Sequence, residues 1–267
     1  MMSKSNTISQ HQGSLALQPE HSTKDCNTAY PSVMADLVVV FGPCTTLAKH
    51  ILSTSWAGQK NLLLVARDKE EARRLGSSFP AAEILACWLP EHKWKWPDAY
   101  GCITVLLCAF AVIHPVTPDW SSHCEATRRD IEILAHVLRK FRGQVIKLVF
   151  VSSVLALAPK PERTYYVGWK CLAESMIRDL LTNQERASLS VLYPGRLASQ
   201  KNLLSPLSFL HTTYRRFAQR LVRIANSCPR PSQRGGACKP HREIVGLDAR
   251  ILLALKAFGL LIRAVFG

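Results

Sequence analysis

The chain is short of acid. Its 267 residues carry 19 Asp and Glu against 34 Lys and Arg, a formal charge of +15. Such a balance implies attraction to anions (nucleotide phosphates, nucleic acid or acidic lipid) and leaves the fold open. The chain also lacks paired cysteines. Its nine, at 26, 44, 87, 102, 108, 124, 171, 228 and 238, never form a C-x-x-C and never cluster. That excludes a zinc site of closely spaced ligands, so no metal is expected. A disulfide framework is out of place in a chain this long with 48% hydrophobic content, and scattered thiols suit a reducing, cytoplasmic compartment. Residues 1–34 have no apolar core of a signal peptide. They are rich in Ser, Thr, Gln, Asn and His and read as a disordered leader.

What is present is an alternation. Apolar runs at 36–41 (DLVVVF), 61–66 (NLLLVA), 82–88, 103–110, 145–151 and 189–193 are separated by stretches with helical spacing. Six βα alternations with short connections predict an α/β fold over 35–226: a doubly wound parallel sheet with helices on both faces. Ligand then belongs at the carboxyl ends of the strands. Residues 227–248 read as a flexible basic linker. The final stretch, 249–267, is the most apolar of the chain, with Lys256 and Arg263 on one helical face. Two central charges make a bilayer span costly. An interfacial helix contacting a membrane surface is expected, the alternatives being docking on its own domain or on a second subunit. The HKWKW run at 92–96 interleaves base and aromatic but is too short and isolated for a nucleic-acid site, and none is expected.

Chemistry concentrates in 148–176. A strand-like run ends at Ser152 and Ser153, a proline-bearing loop follows, and Tyr166 and Lys170 come four residues apart at the start of a helical pattern. On a helix the two share a face. A nearby ammonium favours the phenolate and pulls the phenol pKa down, which suits proton transfer. A serine hydroxyl at the adjacent strand end can hydrogen-bond the reacting oxygen. Read by themselves, the same residues also fit aromatic packing and a solvated lysine. Nearer the start, Gly42 and Pro43 turn the chain out of the first strand into a helix, the arrangement that sets a helix N-terminus under a phosphate. Thr45 and Thr46 could offer it hydroxyls. Arg67 closes the second strand, where a basic residue suits a ribose 2′-phosphate, although Asp68 adjoins it.

The stretch holding Ser153, Tyr166 and Lys170 resembles the short-chain dehydrogenase/reductase family, which has a serine ending its fifth strand and a Tyr-x-x-x-Lys on the next helix. Ordered landmarks extend the resemblance over about 37–195. It implies a Rossmann-like fold and an oxidoreductase using NADP or NAD on a small-molecule carbonyl or alcohol. Tyr166 would be the general acid/base, Lys170 would lower its pKa and hold the nicotinamide ribose, and Ser153 would polarise the substrate oxygen. Cofactor contacts would come from Gly42, Thr45, Thr46, Leu47, Arg67, Tyr166, Lys170, Pro194 and Gly195. A homodimer through the Tyr-x-x-x-Lys helix follows from the resemblance only. The match is eroded elsewhere. Of the family's Thr-Gly-x-x-x-Gly-x-Gly turn, Phe41, Gly42, Thr46 and Ala48 keep one glycine. Cys87 and Trp88 stand where an acid is usual, and Cys108–Ala109–Phe110–Ala111 replaces Asn-Asn-Ala-Gly. No asparagine lies between Asn61 and Asn183 to complete the proton relay, which leaves Glu125 or Thr127. Two other readings stay open: a non-catalytic nucleotide-binding or scaffold protein, and a sugar-nucleotide epimerase or dehydratase.

Overall fold

Five consecutive apolar residues form the centre of the molecule. In the computed structural model, β1 (Leu37–Phe41) is buried along its whole length, because both faces of a parallel sheet are covered. The structure describes residues 36–96, 101–110, 120–160, 163–198, 210–227 and 240–266. The expected leader and most of the expected basic linker lie outside them.

Around β1 are β2 (Asn61–Ala66), β3 (Glu83–Ala86), β4 (Cys102–Leu107), β5 (Val145–Val151), β6 (Ala187–Pro194) and β9 (His241–Val245). They make a seven-stranded sheet in the order β3-β2-β1-β4-β5-β6-β9, parallel at every pairing. Two short strands, β7 (Leu197–Ala198) and β8 (Thr212–Thr213), pair separately. This is the predicted α/β, Rossmann-like, doubly wound sheet. The chain order reverses between β1 and β4, and that switch point is where such folds bind ligand.

Alternate residues of each strand point to opposite faces. Leu37, Val39 and Phe41 join one core with Leu134 and Val137 of α4 (Trp120–Lys140), Phe141 just after it, and Ala173, Ile177 and Leu181 of α5 (Thr164–Leu181). Val38 and Val40 join the other, with Leu47 and Ile51 of α1 (Thr46–Leu52), Trp56 of α2 (Ser55–Gly58), Leu75 of α3 (Lys69–Ser78) and Phe217 and Leu221 of α6 (Tyr214–Asn226). The HKWKW segment belongs to the first core. Trp96 stands edge-on to Phe141 at 5.9 Å and Trp94 edge-on to His136 at 5.2 Å, so both indoles are taken up by packing.

One expectation at the C-terminal end is corrected. The seventh strand, β9, lies inside the stretch 227–248 expected to be linker, and Ser190–Pro194 pair with His241–Val245. As an edge strand it is paired on one side only, so it carries charge and little apolar signal. The final helix, α7 (Leu247–Phe266), is the expected C-terminal helix, and its exposed Lys256 ammonium donates to the Leu157 carbonyl at 3.1 Å. Leu247, Ile251, Leu255, Phe258, Leu260 and Leu261 are exposed along it. No helix among the described residues is long and apolar enough to cross a membrane.

Candidate active site

The corner at the ends of β5 and α5 brings the three expected catalytic residues together. Ser153 leaves β5 and caps the short turn Val154–Ala156, its hydroxyl accepting from the Leu155 N–H at 3.2 Å. Tyr166 sits in the first turns of α5, and its phenol is hydrogen-bonded to Ser153. Burial raises the phenol above its ordinary 10, while Ser153 and the Arg163 charge pull the other way. The net direction is opposite to the sequence expectation, and it keeps the phenol protonated at neutral pH. Lys170, one turn further on, is buried. Its ammonium lies 5.9 Å from the Tyr166 ring centroid and 5.2 Å from that of Phe150. It donates to the carbonyls of Val151 at 3.2 Å and Phe110 at 3.5 Å, and burial pushes its pKa down from 10.5 to about 8.

The next position on that helical face is Glu174, which the sequence reading missed. It accepts from the Tyr193 hydroxyl of β6 at 2.6 Å and from Arg242 of β9 at 2.7 Å. The buried pair holds the Tyr–Lys helix against two strands. The i, i+4, i+8 series Tyr166, Lys170, Glu174 was the available signal. Of the two relay candidates, Glu125 is exposed and paired with Arg128 at 2.9 Å, whereas Thr127 is buried.

The expected cofactor rim is arranged differently, because its residues are already engaged. Gly42 has φ +68°, and a Cβ there would stand 2.3 Å from the Ala109 Cβ. The turn therefore packs directly on the end of β4. The Thr45 hydroxyl is the N-cap of α1: it accepts from Ala48 N–H at 3.3 Å and donates to Gly42 O at 2.9 Å. Thr46 is exposed on the first turn, and Leu47 is buried in the core. Arg67 is part-exposed and donates from one nitrogen to Ala109 O and to Asp130 of α4, both at 2.9 Å. Asp130 sits on the apolar face of α4, in step with Leu134 and Val137. A carboxylate at such a position needs a partner, and that was its signal in the sequence. Glu71, also missed, accepts from the Arg67 N–H at 2.8 Å and from the Cys44 thiol, whose pKa is raised by burial first and by Glu71 second. Pro194 is buried at the end of β6, and beside it the Asp248 carboxylate of α7 fills the space over Gly195, 2.3 Å from where a Cβ would be. Asp248 accepts there from the Arg196 N–H at 2.6 Å.

Among the described residues the Ser152 hydroxyl is buried without a hydrogen-bond partner, beside the Val151 carbonyl that holds Lys170, and an added polar group would satisfy it. A cleft of about 540 Å³ lined by Arg139, Arg142, Thr182, Asn183, Gln184 and Glu185 opens at the opposite, amino-terminal edge of the sheet. Doubly wound folds do not place ligand there.

No family model matches the chain, and no curated protein matches its sequence. Solved structures share its fold. A short-chain dehydrogenase/reductase from Vibrio parahaemolyticus is 14% identical, with a TM-score of 0.54 over 78% of this chain and 98% of that one. A 3-ketoacyl-(acyl-carrier-protein) reductase from Brucella melitensis, complexed with NADH, is 13% identical, with a TM-score of 0.54 over 80% and 98%. A serine dehydrogenase in its closed form, complexed with NADP+, is 11% identical, with a TM-score of 0.56 over 79% and 94%. The chain thus has the fold of the short-chain dehydrogenases/reductases.

Proposed function

We propose that the chain is a divergent short-chain dehydrogenase/reductase: an NAD(P)-dependent oxidoreductase that reduces a small-molecule carbonyl or oxidises the corresponding alcohol. The observation that carries the reading is the hydrogen bond between Ser153 and Tyr166 with the Lys170 ammonium buried behind the phenol ring. A bound nicotinamide would supply or accept the hydride. Ser153 would orient the substrate oxygen by hydrogen bonding. Tyr166, protonated at neutral pH, would give its proton to that oxygen as negative charge develops, which favours the reductive direction. Lys170 would stabilise the phenolate left behind and, turning from its backbone carbonyls, hold the ribose. Thr46 at the start of α1 and Arg67 would meet the phosphates. The test is turnover of NADPH and NADH by the purified chain with a panel of aldehydes and ketones, in the wild type and in Tyr166→Phe. Turnover lost in the variant, with nucleotide binding retained, supports the reading. Equal turnover in both, or none in the wild type, overturns it.

A second reading, a nucleotide-binding or scaffold protein without chemistry, is favoured by the engagement of Gly42, Thr45, Arg67 and Gly195 in internal contacts. Millimolar NADPH and NADH that fail to shift the melting temperature would select it. The outward apolar face of α7 is assigned to a membrane surface, with the exposed Arg250 at its edge and the basic charge of the chain favouring anionic lipid. Co-sedimentation with phosphatidylserine vesicles, lost in Leu255→Glu/Phe258→Glu, checks this. Cross-linking or sedimentation will show whether two copies associate through α5.

A further inference from the structure

We propose that the substrate carbonyl is carried on a long apolar chain and reaches Ser153 from an anionic bilayer on which α7 is seated. This rests on the oxidoreductase reading and the membrane assignment above, and it names the substrate class of that same site. The starting point is the course of α7. Asp248, the second residue of the helix, stands over Gly195 just beyond β6. Lys256, about two turns later, donates to the carbonyl of Leu157, in the loop between Ser153 and Tyr166. The helix therefore runs along the carboxyl edge of the sheet, from the end of β6 to the loop that follows Ser153. The corner holding Ser153, Tyr166 and Lys170 lies at that same edge. A surface that takes up α7 is brought up to the corner.

Charge identifies what that surface is. Leu247, Ile251, Leu255 and Phe258 follow at helical spacing, share one stripe of α7 and are each exposed. The helix is not long and apolar enough to cross a bilayer, so the stripe suits a helix lying in the interface plane. Arg250, in the first turn of α7, is exposed. The Thr212 hydroxyl stands 2.8 Å from where a Cβ on Gly246 would be, so the chain entering α6 passes beside the chain entering α7. Arg215 and Arg216, exposed in the first turn of α6, are thus set near the start of the stripe, and α6 carries no acid. An apolar stripe beside three arginines matches acyl chains under anionic headgroups. A second copy meeting the stripe about a two-fold axis would bring the same three arginines against these.

The path from α7 to the serine sets the substrate class. After Ser153 the loop reads Val154, Leu155, Ala156, Leu157 and Ala158, without one polar side chain. Val154 and Ala158 are buried, and the three residues between them are half-buried. Ala156 and Leu157 pack on the core beneath α5. This wall offers an entering molecule hydrocarbon along its length and a hydroxyl pair, Ser153 and Tyr166, at its end. An alkyl chain gains burial on such a wall while its carbonyl oxygen meets the two hydroxyls. A sugar or a charged substrate would give up hydration along 154–158 and receive no side-chain partner in return.

The experiment is turnover of NADPH and NADH by the full chain with dodecanal, which dissolves in bilayers, and with propanal, which stays in water. Vesicles of phosphatidylcholine and phosphatidylserine are present throughout. The wild type is compared with Leu255→Glu/Phe258→Glu, whose changes lie on the exposed stripe and outside the site. For dodecanal, kcat/KM should fall at least about tenfold in the variant, because two apolar side chains leave the bilayer. For propanal it should not change. A second readout needs no nucleotide: a long-chain ketone carrying a photoreactive diazirine, dissolved in the same vesicles, should label 154–158 in the wild type and not in the variant. Three results overturn the inference and leave the oxidoreductase reading standing: equal effects on the two aldehydes, dodecanal left untouched by a wild type that reduces another carbonyl, or no labelling of 154–158. Vesicle binding unchanged in the variant, with a dimer lost in sedimentation, gives α7 to a second copy and overturns it too. Turnover of neither aldehyde, nor of any carbonyl in the panel above, overturns the oxidoreductase reading and this inference with it.

Discussion

The corner around Tyr166 and the rim around Gly42 lie along one sheet edge, yet they use their polar groups in opposite ways. At the corner, Ser153, Tyr166 and Lys170 face one another, and the buried Ser152 hydroxyl has no partner. At the rim, Gly42 fits Ala109, Thr45 caps a helix, Arg67 pairs with Asp130, and Gly195 lies under Asp248. The corner gathers its polar groups around Tyr166, with Lys170 held by backbone carbonyls, and the rim spends the same residue types on turns, caps and ion pairs, one Asp248 oxygen excepted. A motif match shows that suitable atoms are present, and only their contacts show whether they are available. Removing the Tyr166 hydroxyl should therefore appear in chemistry, and substitutions at the rim in stability.

The largest effect belongs to the corner. Tyr166→Phe should lower turnover by about 10²- to 10⁴-fold, the usual worth of a general acid, with nucleotide affinity little changed. If stability fell as much as turnover, the contrast between the two regions would collapse. Lys170 gives the next effect, read through pH. Its folded pKa of about 8 lies below the ordinary 10.5, so between those values the unfolded chain binds the extra proton and stability rises with pH. Urea unfolding should show the wild type gaining about 3 kcal/mol over that window relative to Lys170→Met. A flat difference would mean that the ammonium is not buried as described.

At the rim, Gly42→Ala should cost about 2 kcal/mol of folding stability, since the new Cβ adopts a positive φ and meets Ala109. Measured without nucleotide, that loss separates a packing role from a ligand role. An unchanged melting curve would return Gly42 to the ligand. Thr45→Ala should cost about 1 kcal/mol, the worth of an N-cap. A much larger effect on NADPH binding than on unfolding would show that its hydroxyl serves a phosphate.

These contrasts set how far the sequence could be read. The strands β1, β2 and β5 were plain because each is a continuous apolar run closed by a turn or a charge, and burial on both faces demands that composition. The Tyr–Lys spacing was plain because helical geometry makes positions four apart neighbours whatever else surrounds them. β9 was not, because an edge strand reading HREIV carries the same charge as the linker before it. Asp130 and Glu174 were not, because each acts through a partner at least 60 residues away in the chain, Arg67 in one case and Arg242 in the other.

Local order, then, was determined by the sequence alone: alternating strands and helices, a parallel sheet, and a serine, tyrosine and lysine at one strand–helix junction. The elements and the Tyr–Lys spacing depend on neighbours within a few turns of chain, and the parallel sheet follows from their alternation. The use made of each polar group was decided by the tertiary structure. Arg67 faces Asp130, burial raises the Tyr166 phenol instead of lowering it, and Asp248 covers Gly195, because packing brings distant segments within hydrogen-bonding reach. At contact distance, charge and desolvation outweigh what the residue type alone would suggest.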